Sequence, residues 1–63
     1  MMDSSKLRDL RRARGQTQQE LAEILGITHS AVSNYERGTR LPNLRLLRSL
    51  EKALGLRKGG LLL

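Results

Sequence analysis

The stretch Thr17–Gly38, TQQELAEILGITHSAVSNYERG, constrains this chain more than any other. Thr17 and Glu20 have the T-x-x-E spacing of a capping box, in which hydroxyl and carboxylate each satisfy the other residue's free backbone N–H. The spacing predicts a helix that opens at Gln18 and carries Leu21, Ile24 and Leu25 as its apolar stripe. Gly26 admits the left-handed backbone that ends a helix, and Ile27 takes an apolar side chain into the turn. Thr28 then caps a second helix starting at His29, and Gly38 terminates it. Two helices of eight or nine residues around a glycine turn make a helix-turn-helix unit.

The second of these helices has two unlike faces. At about 100° per residue, Ala31, Val32 and Tyr35 point to one side. Ser30, Ser33, Asn34 and Arg37 gather on the other, with His29 at its edge. Hydroxyls, an amide and a guanidinium, with no carboxylate among them, suit base edges and phosphates in a major groove. A merely solvated helix face is the plain alternative.

Flanking segments extend the helical pattern. Ser4 or Ser5 is the expected N-cap of a first helix running to Arg14, with Leu7, Leu10 and Arg11 on one face. After the Thr39–Pro42 loop, Asn43 is placed to cap a last helix, Leu44 to Leu54, whose apolar face holds Leu47, Leu50 and Leu54. Gly15, Gly26, Gly38 and Gly55 follow the four helices in turn. Beyond Gly55, Gly59-Gly60 opposes helix at about 1 kcal/mol per glycine. The three terminal leucines either fold back on Leu50 and Leu54 or remain open to another chain.

Thr17 to Gly38 resembles the helix-turn-helix of the phage repressor and Cro-like (XRE-type) regulators. The matching residues are Thr17-Gln18, Leu21-Ala22, Gly26-Ile27-Thr28, Val32 and Tyr35-Glu36-Arg37-Gly38. Leu7, Leu10, Arg11 and Gly15 resemble the family's preceding helix, and Pro42, Leu44, Leu47, Ala53, Leu54 and Gly55 its following one. The resemblance covers about residues 5–56 and keeps its spacing across four segments. It implies an all-α, four- or five-helix lambda-repressor-like DNA-binding domain, in which residues 57–63 are a tail or a short fifth helix. Two positions depart from the family pattern: Gln16 stands where an apolar residue is common, and Glu51 where Ala is common.

The resemblance also implies roles. His29, Ser30, Ser33 and Asn34 are the candidate base readers, Asn34 foremost because its amide matches adenine. Gln18, Thr28, Arg37, Arg40 and Asn43 are the candidate phosphate contacts, Gln18 being favoured by its place at a helix N-terminus. Arg11 and Glu36 lie toward the core on their helices and form the expected structural ion pair, since each would be costly to bury alone. The implied function is a sequence-specific transcriptional regulator, more in the manner of a repressor than an activator. It would read duplex DNA as a homodimer on a two-fold site. The alternative class is an antitoxin-like module whose main partner is another protein.

Composition narrows the field without deciding it. A chain of 63 residues, 38% hydrophobic and 29% charged, supports one small core. Its net charge of +6 favours a polyanion, nucleic acid ahead of an anionic membrane surface. Leu44 to Leu54 comes nearest to an interfacial helix, yet Asn43 and Gly55 bracket it as they would a globular one. No run of residues approaches a membrane span or a signal-peptide core. With no Cys and a single His, no catalytic residue, metal site or cofactor is expected, and the chain reads as a non-enzyme. A cytosolic, nucleoid-associated protein is the expectation.

Overall fold

Every helix of this chain starts at a side chain that accepts a backbone N–H from its first turn. In the computed structural model, which describes residues 1–63, α1 spans Ser4–Ala13, α2 Gln18–Leu25, α3 His29–Arg37 and α4 Leu44–Ala53. Asp3, Thr17, Thr28 and Asn43 accept from the N–H groups of Lys6, Glu20, Ala31 and Leu46 at 3.1, 3.0, 3.1 and 2.8 Å. Each such cap is worth about 1 kcal/mol. At Thr17 the box is complete, because Glu20 in turn accepts the Thr17 N–H at 2.8 Å.

The cap of α1 is Asp3, not Ser4 or Ser5, which are the helix's first two residues. The reason is tertiary: the Asp3 N–H is itself bound to the Leu61 carbonyl at 2.7 Å, so the tail fixes where the helix begins. α1 and α4 also end one residue before the sequence boundary, with Arg14 and Leu54 as their C-caps.

The chain packs α2 against α3, lays α1 on α3, and sets α4 against α2. Leu7, Leu21, Ala22, Val32, Tyr35, Leu47, Leu50 and Leu54 fill the centre, closed by Met2 and Leu61. Burying each leucine contributes about 1.5–3 kcal/mol. Ile24 is not part of this stripe, being 60% exposed. Because α2 touches both α3 and α4, its buried line runs through Leu21 and Ala22. Ile24 is turned outward to a shallow depression beside Leu25, Ser49, Lys52 and Ala53. Between α2 and α3, Gly26 adopts φ 70° and the Ile27 N–H bonds back to the Ala22 carbonyl at 3.0 Å, a tight reversal that swings α3 across α2.

No fifth helix forms. Residues 58–61 make successive turns, with Gly59 at φ 87°. A Cβ on Gly60 would sit 2.9 Å from the Leu56 Cβ and 3.0 Å from the Arg57 carbonyl, closer than side chains tolerate. This path returns Leu61 to the core and pairs Met2 with Leu62 in an isolated antiparallel bridge. The Leu63 N–H reaches the Met1 carbonyl at 2.9 Å. Of the three leucines, Leu61 is buried, whereas Leu62 and Leu63 remain 41% and 80% exposed. No helix is long and apolar enough to cross a membrane.

Candidate nucleic-acid interface

The outward helix α3 is held from behind by a buried ion pair. Arg11 on α1 donates through Nε to Glu36 Oε2 at 2.5 Å and through Nη2 to Oε1 at 3.0 Å. Its Nη1 donates to the Gln16 carbonyl at 2.7 Å, so the guanidinium spans α1, the loop after it and α3. Both residues are buried, at 6% and 4% exposure. Burial pushes the Glu36 carboxyl up, but the bonds from Arg11 and Gln18 and the positive fields of Arg11 and Arg8 outweigh it. The carboxyl is thereby held below the usual range. The hydrogen bond to Glu36 outweighs burial at Arg11, whose basicity is raised.

Gln18 extends this pair toward the surface. Its Nε2 donates to Glu36 Oε1 at 3.1 Å, and its Oε1 lies 2.7 Å from His29 Nε2. The side chain is therefore engaged at both ends within the protein, with one Nε2 proton left to give. A chain of contacts thus runs from buried Arg11 through Glu36 and Gln18 to exposed His29.

The outward face of α3 is a continuous polar depression of about 320 Å³, lined by His29, Ser30, Ser33, Asn34 and Arg37 and by no hydrophobic residue. Four of these are the candidate base readers and the fifth a candidate phosphate contact. On the opposite side Val32, Tyr35 and Glu36 are buried. Asn34 is not wholly free: its Oδ1 accepts from Arg37 Nη2 at 2.5 Å and from Thr39 Oγ1 at 3.2 Å. That orients the amide so that its NH₂ is the end left without a partner in the chain.

The remaining candidates lie outside the lining of this depression. Thr28 and Asn43 use side-chain oxygens as caps. The Thr28 hydroxyl keeps its proton to donate, and the Asn43 amide keeps its NH₂. Arg40 is exposed in the loop after α3. The α3 depression itself is lined by no carboxylate, and Glu36 on the buried side of the helix is paired with Arg11.

Glu51, which stands out in the sequence only as a departure from the family pattern, proves to be a buried polar residue with a structural part. Glu51, 1% exposed, accepts the Leu61 N–H at 3.1 Å and a guanidinium bond from Arg48 at 2.8 Å. Its helical phase is the available signal, since it falls between Leu47 and Leu54 on the apolar face of α4.

Comparison with known proteins places this geometry. The helix-turn-helix family model matches residues 7–61. The cryptic phage CTXphi transcriptional repressor RstR of Vibrio cholerae is 41% identical over 54 residues, which are 86% of this chain and 49% of that protein. An SPbeta prophage-derived, uncharacterized HTH-type transcriptional regulator of Bacillus subtilis, YonR, is 37% identical over 54 residues, 86% of this chain and 50% of its own length. The chain thus spans about half the length of these curated relatives. The crystal structure of the restriction-modification controller protein C.AhdI from Aeromonas hydrophila superimposes with a TM-score of 0.85 at 36% identity, covering 92% of this chain and 88% of that one. With four helices, a glycine turn between α2 and α3 and these matches across nearly its whole length, the chain belongs to the XRE-type helix-turn-helix family.

Proposed function

We propose that this chain is a sequence-specific duplex-DNA-binding regulator of transcription, acting as a repressor, that lays α3 in the major groove. The observation that carries this reading is the α3 face. It is a polar strip of His29, Ser30, Ser33 and Asn34, ending in Arg37, on a helix whose opposite side is locked into the core. His29, Ser30, Ser33 and Asn34 read base edges. Gln18 through its remaining N–H, the Thr28 hydroxyl, Arg37, Arg40 and the Asn43 amide hold phosphates around them. The net charge of +6 supplies the sequence-independent attraction. Relatives named as transcriptional repressor and regulator support the regulatory role.

A helix of nine residues touches only a few base pairs, so useful affinity calls for two copies on a two-fold site. Selection of tight binders from a random duplex pool tests the whole reading. The expected product is a palindromic consensus whose half-sites lie about one helical turn apart. A pool that stays unenriched, or capture of a protein partner without any DNA preference, would reject it.

A further inference from the structure

Glu36 is acceptor-only when ionised, so the Gln18 atom 3.1 Å from its Oε1 must be the amide nitrogen. The Gln18 carbonyl is thereby turned to His29, 2.7 Å from Nε2. A carbonyl oxygen can only accept, so Nε2 carries the proton. In a neutral imidazole the other nitrogen, Nδ1, is then a bare lone pair. Nδ1 makes no hydrogen bond within the chain, and His29 is exposed at the edge of the polar strip on α3.

The rest of that strip differs in kind. Arg37 only donates, and the Asn34 carbonyl is taken by Arg37 and Thr39, leaving its amide protons outward. The Ser30 and Ser33 hydroxyls rotate to suit either role. His29 Nδ1 is therefore the one acceptor on this face whose character is set in advance by the protein behind it.

We propose that Glu36, acting through Gln18, fixes His29 as a hydrogen-bond acceptor. The base it meets in the major groove is accordingly one that presents an exocyclic amino group, adenine N6 or cytosine N4. This inference rests on the reading of α3 as the DNA-reading helix. It makes Gln18 and Glu36 positioning residues for specificity, beyond their parts in structure and phosphate contact. Guanine and thymine offer only acceptors and a methyl group along that edge, so they leave Nδ1 unpaired against a like lone pair.

Two measurements test it, both made at pH 8. Nitrogen-15 NMR of the DNA-free protein reads the tautomer of its single histidine. A protonated Nε2 and a pyridine-like Nδ1 are expected, while a proton on Nδ1, or shifts averaged over both nitrogens, overturns the relay. Gln18→Lys replaces the carbonyl by an ammonium donor facing Glu36 and His29, and is expected to drive the proton to Nδ1.

Duplex selection then compares the wild type, His29→Ala and Gln18→Lys. At the base position where His29→Ala loses its preference, the wild type should favour A or C over G or T by roughly tenfold. Gln18→Lys should move that preference toward G or T. A wild-type preference for G or T there, or selectivity that His29→Ala leaves untouched at every position, overturns the inference alone. Absence of any duplex selectivity overturns the DNA-reading assignment and this inference with it, and the NMR result distinguishes that failure from a failed relay.

Discussion

The Glu51 carboxylate accepts the Leu61 N–H at 3.1 Å from inside the core, and by that bond α4 fastens the C-terminal tail over the N-terminus. Burial pushes this carboxyl up, but the backbone N–H groups of Leu61 and Gly59 and the Arg48 guanidinium hold it below the usual range. The tail is thus part of the folded unit. Ending the chain at Leu56 removes Leu61 from the core, at a cost of about 2 kcal/mol. Roughly 10 °C of melting temperature should go with it in a domain of this size. Thermal melts of the full and shortened chains check this. An unchanged melting temperature with an altered sedimentation coefficient would show that the tail serves association instead.

Glu36→Ala should be more damaging than any loss at the surface. It leaves Arg11 buried with only the Gln16 carbonyl as partner and frees the Gln18 amide. Breaking a buried pair from one side costs about 3 kcal/mol, a large share of the stability of a small domain. Urea unfolding of Arg11→Ala, Glu36→Ala and the double variant gives the coupling between them. Two small, additive losses would show that the pair contributes little.

Acid should unfold the protein through its carboxylates. Glu20, Glu36 and Glu51 are all depressed in the folded state. A depressed folded value contributes stability that is fully present above the unfolded value, about 4.3 for Glu, and is lost as pH falls through the folded values. Melting temperature should therefore be flat from neutral pH down to about 5 and then drop steeply. Glu51→Gln should melt lower than the wild type at pH 7, and the gap should close in strong acid. A gap that persists undiminished at pH 2 would show that packing rather than charge is at stake.

Most of the helical frame was legible in the sequence, because local chemistry decides it. Thr17, Thr28 and Asn43 cap as their types and positions imply, and Gly26 turns the chain where the apolar stripe stops. What the sequence hid depends on contacts between distant residues. Asp3 rather than Ser4 caps α1 because Leu61 binds its backbone. Ile24 is exposed because α2 divides its buried line between two neighbouring helices. In the candidate interface the α3 face was readable from helical phase alone. The engagement of Gln18 with Glu36 and His29, and of Asn34 with Arg37, required the folded arrangement.

Affinity for duplex should be steeply salt-dependent. Gln18, Thr28 and Asn43 contribute neutral donors, whereas each cation seated on a phosphate releases counterions. The slope of log K against log salt should therefore grow by about 0.9 for every such Arg. Titrations at several salt concentrations measure it, and a flat line would count against the proposed interface.

Specificity and affinity should separate between Asn34 and Arg40. Asn34 lies mid-helix on the α3 face with its NH₂ outward, while Arg40 stands exposed in the loop beyond Gly38. An amide reaching a base edge is worth about 1–3 kcal/mol on the right base, so Asn34→Ala should lose that much on the preferred site. On random duplex, where that contact never forms, the loss should be far smaller. Adenine recognition through both amide atoms would require the Asn34 Oδ1 to exchange Arg37 and Thr39 for the base, which would also free Arg37 for a phosphate. Arg40→Ala should instead weaken preferred and random duplexes alike and reduce the salt slope by about one unit. Measuring each variant on each duplex makes the comparison internal to one experiment. If Asn34→Ala weakens random DNA as much as the preferred site, α3 is not the reading helix and the assignment of His29, Ser30, Ser33 and Asn34 falls together.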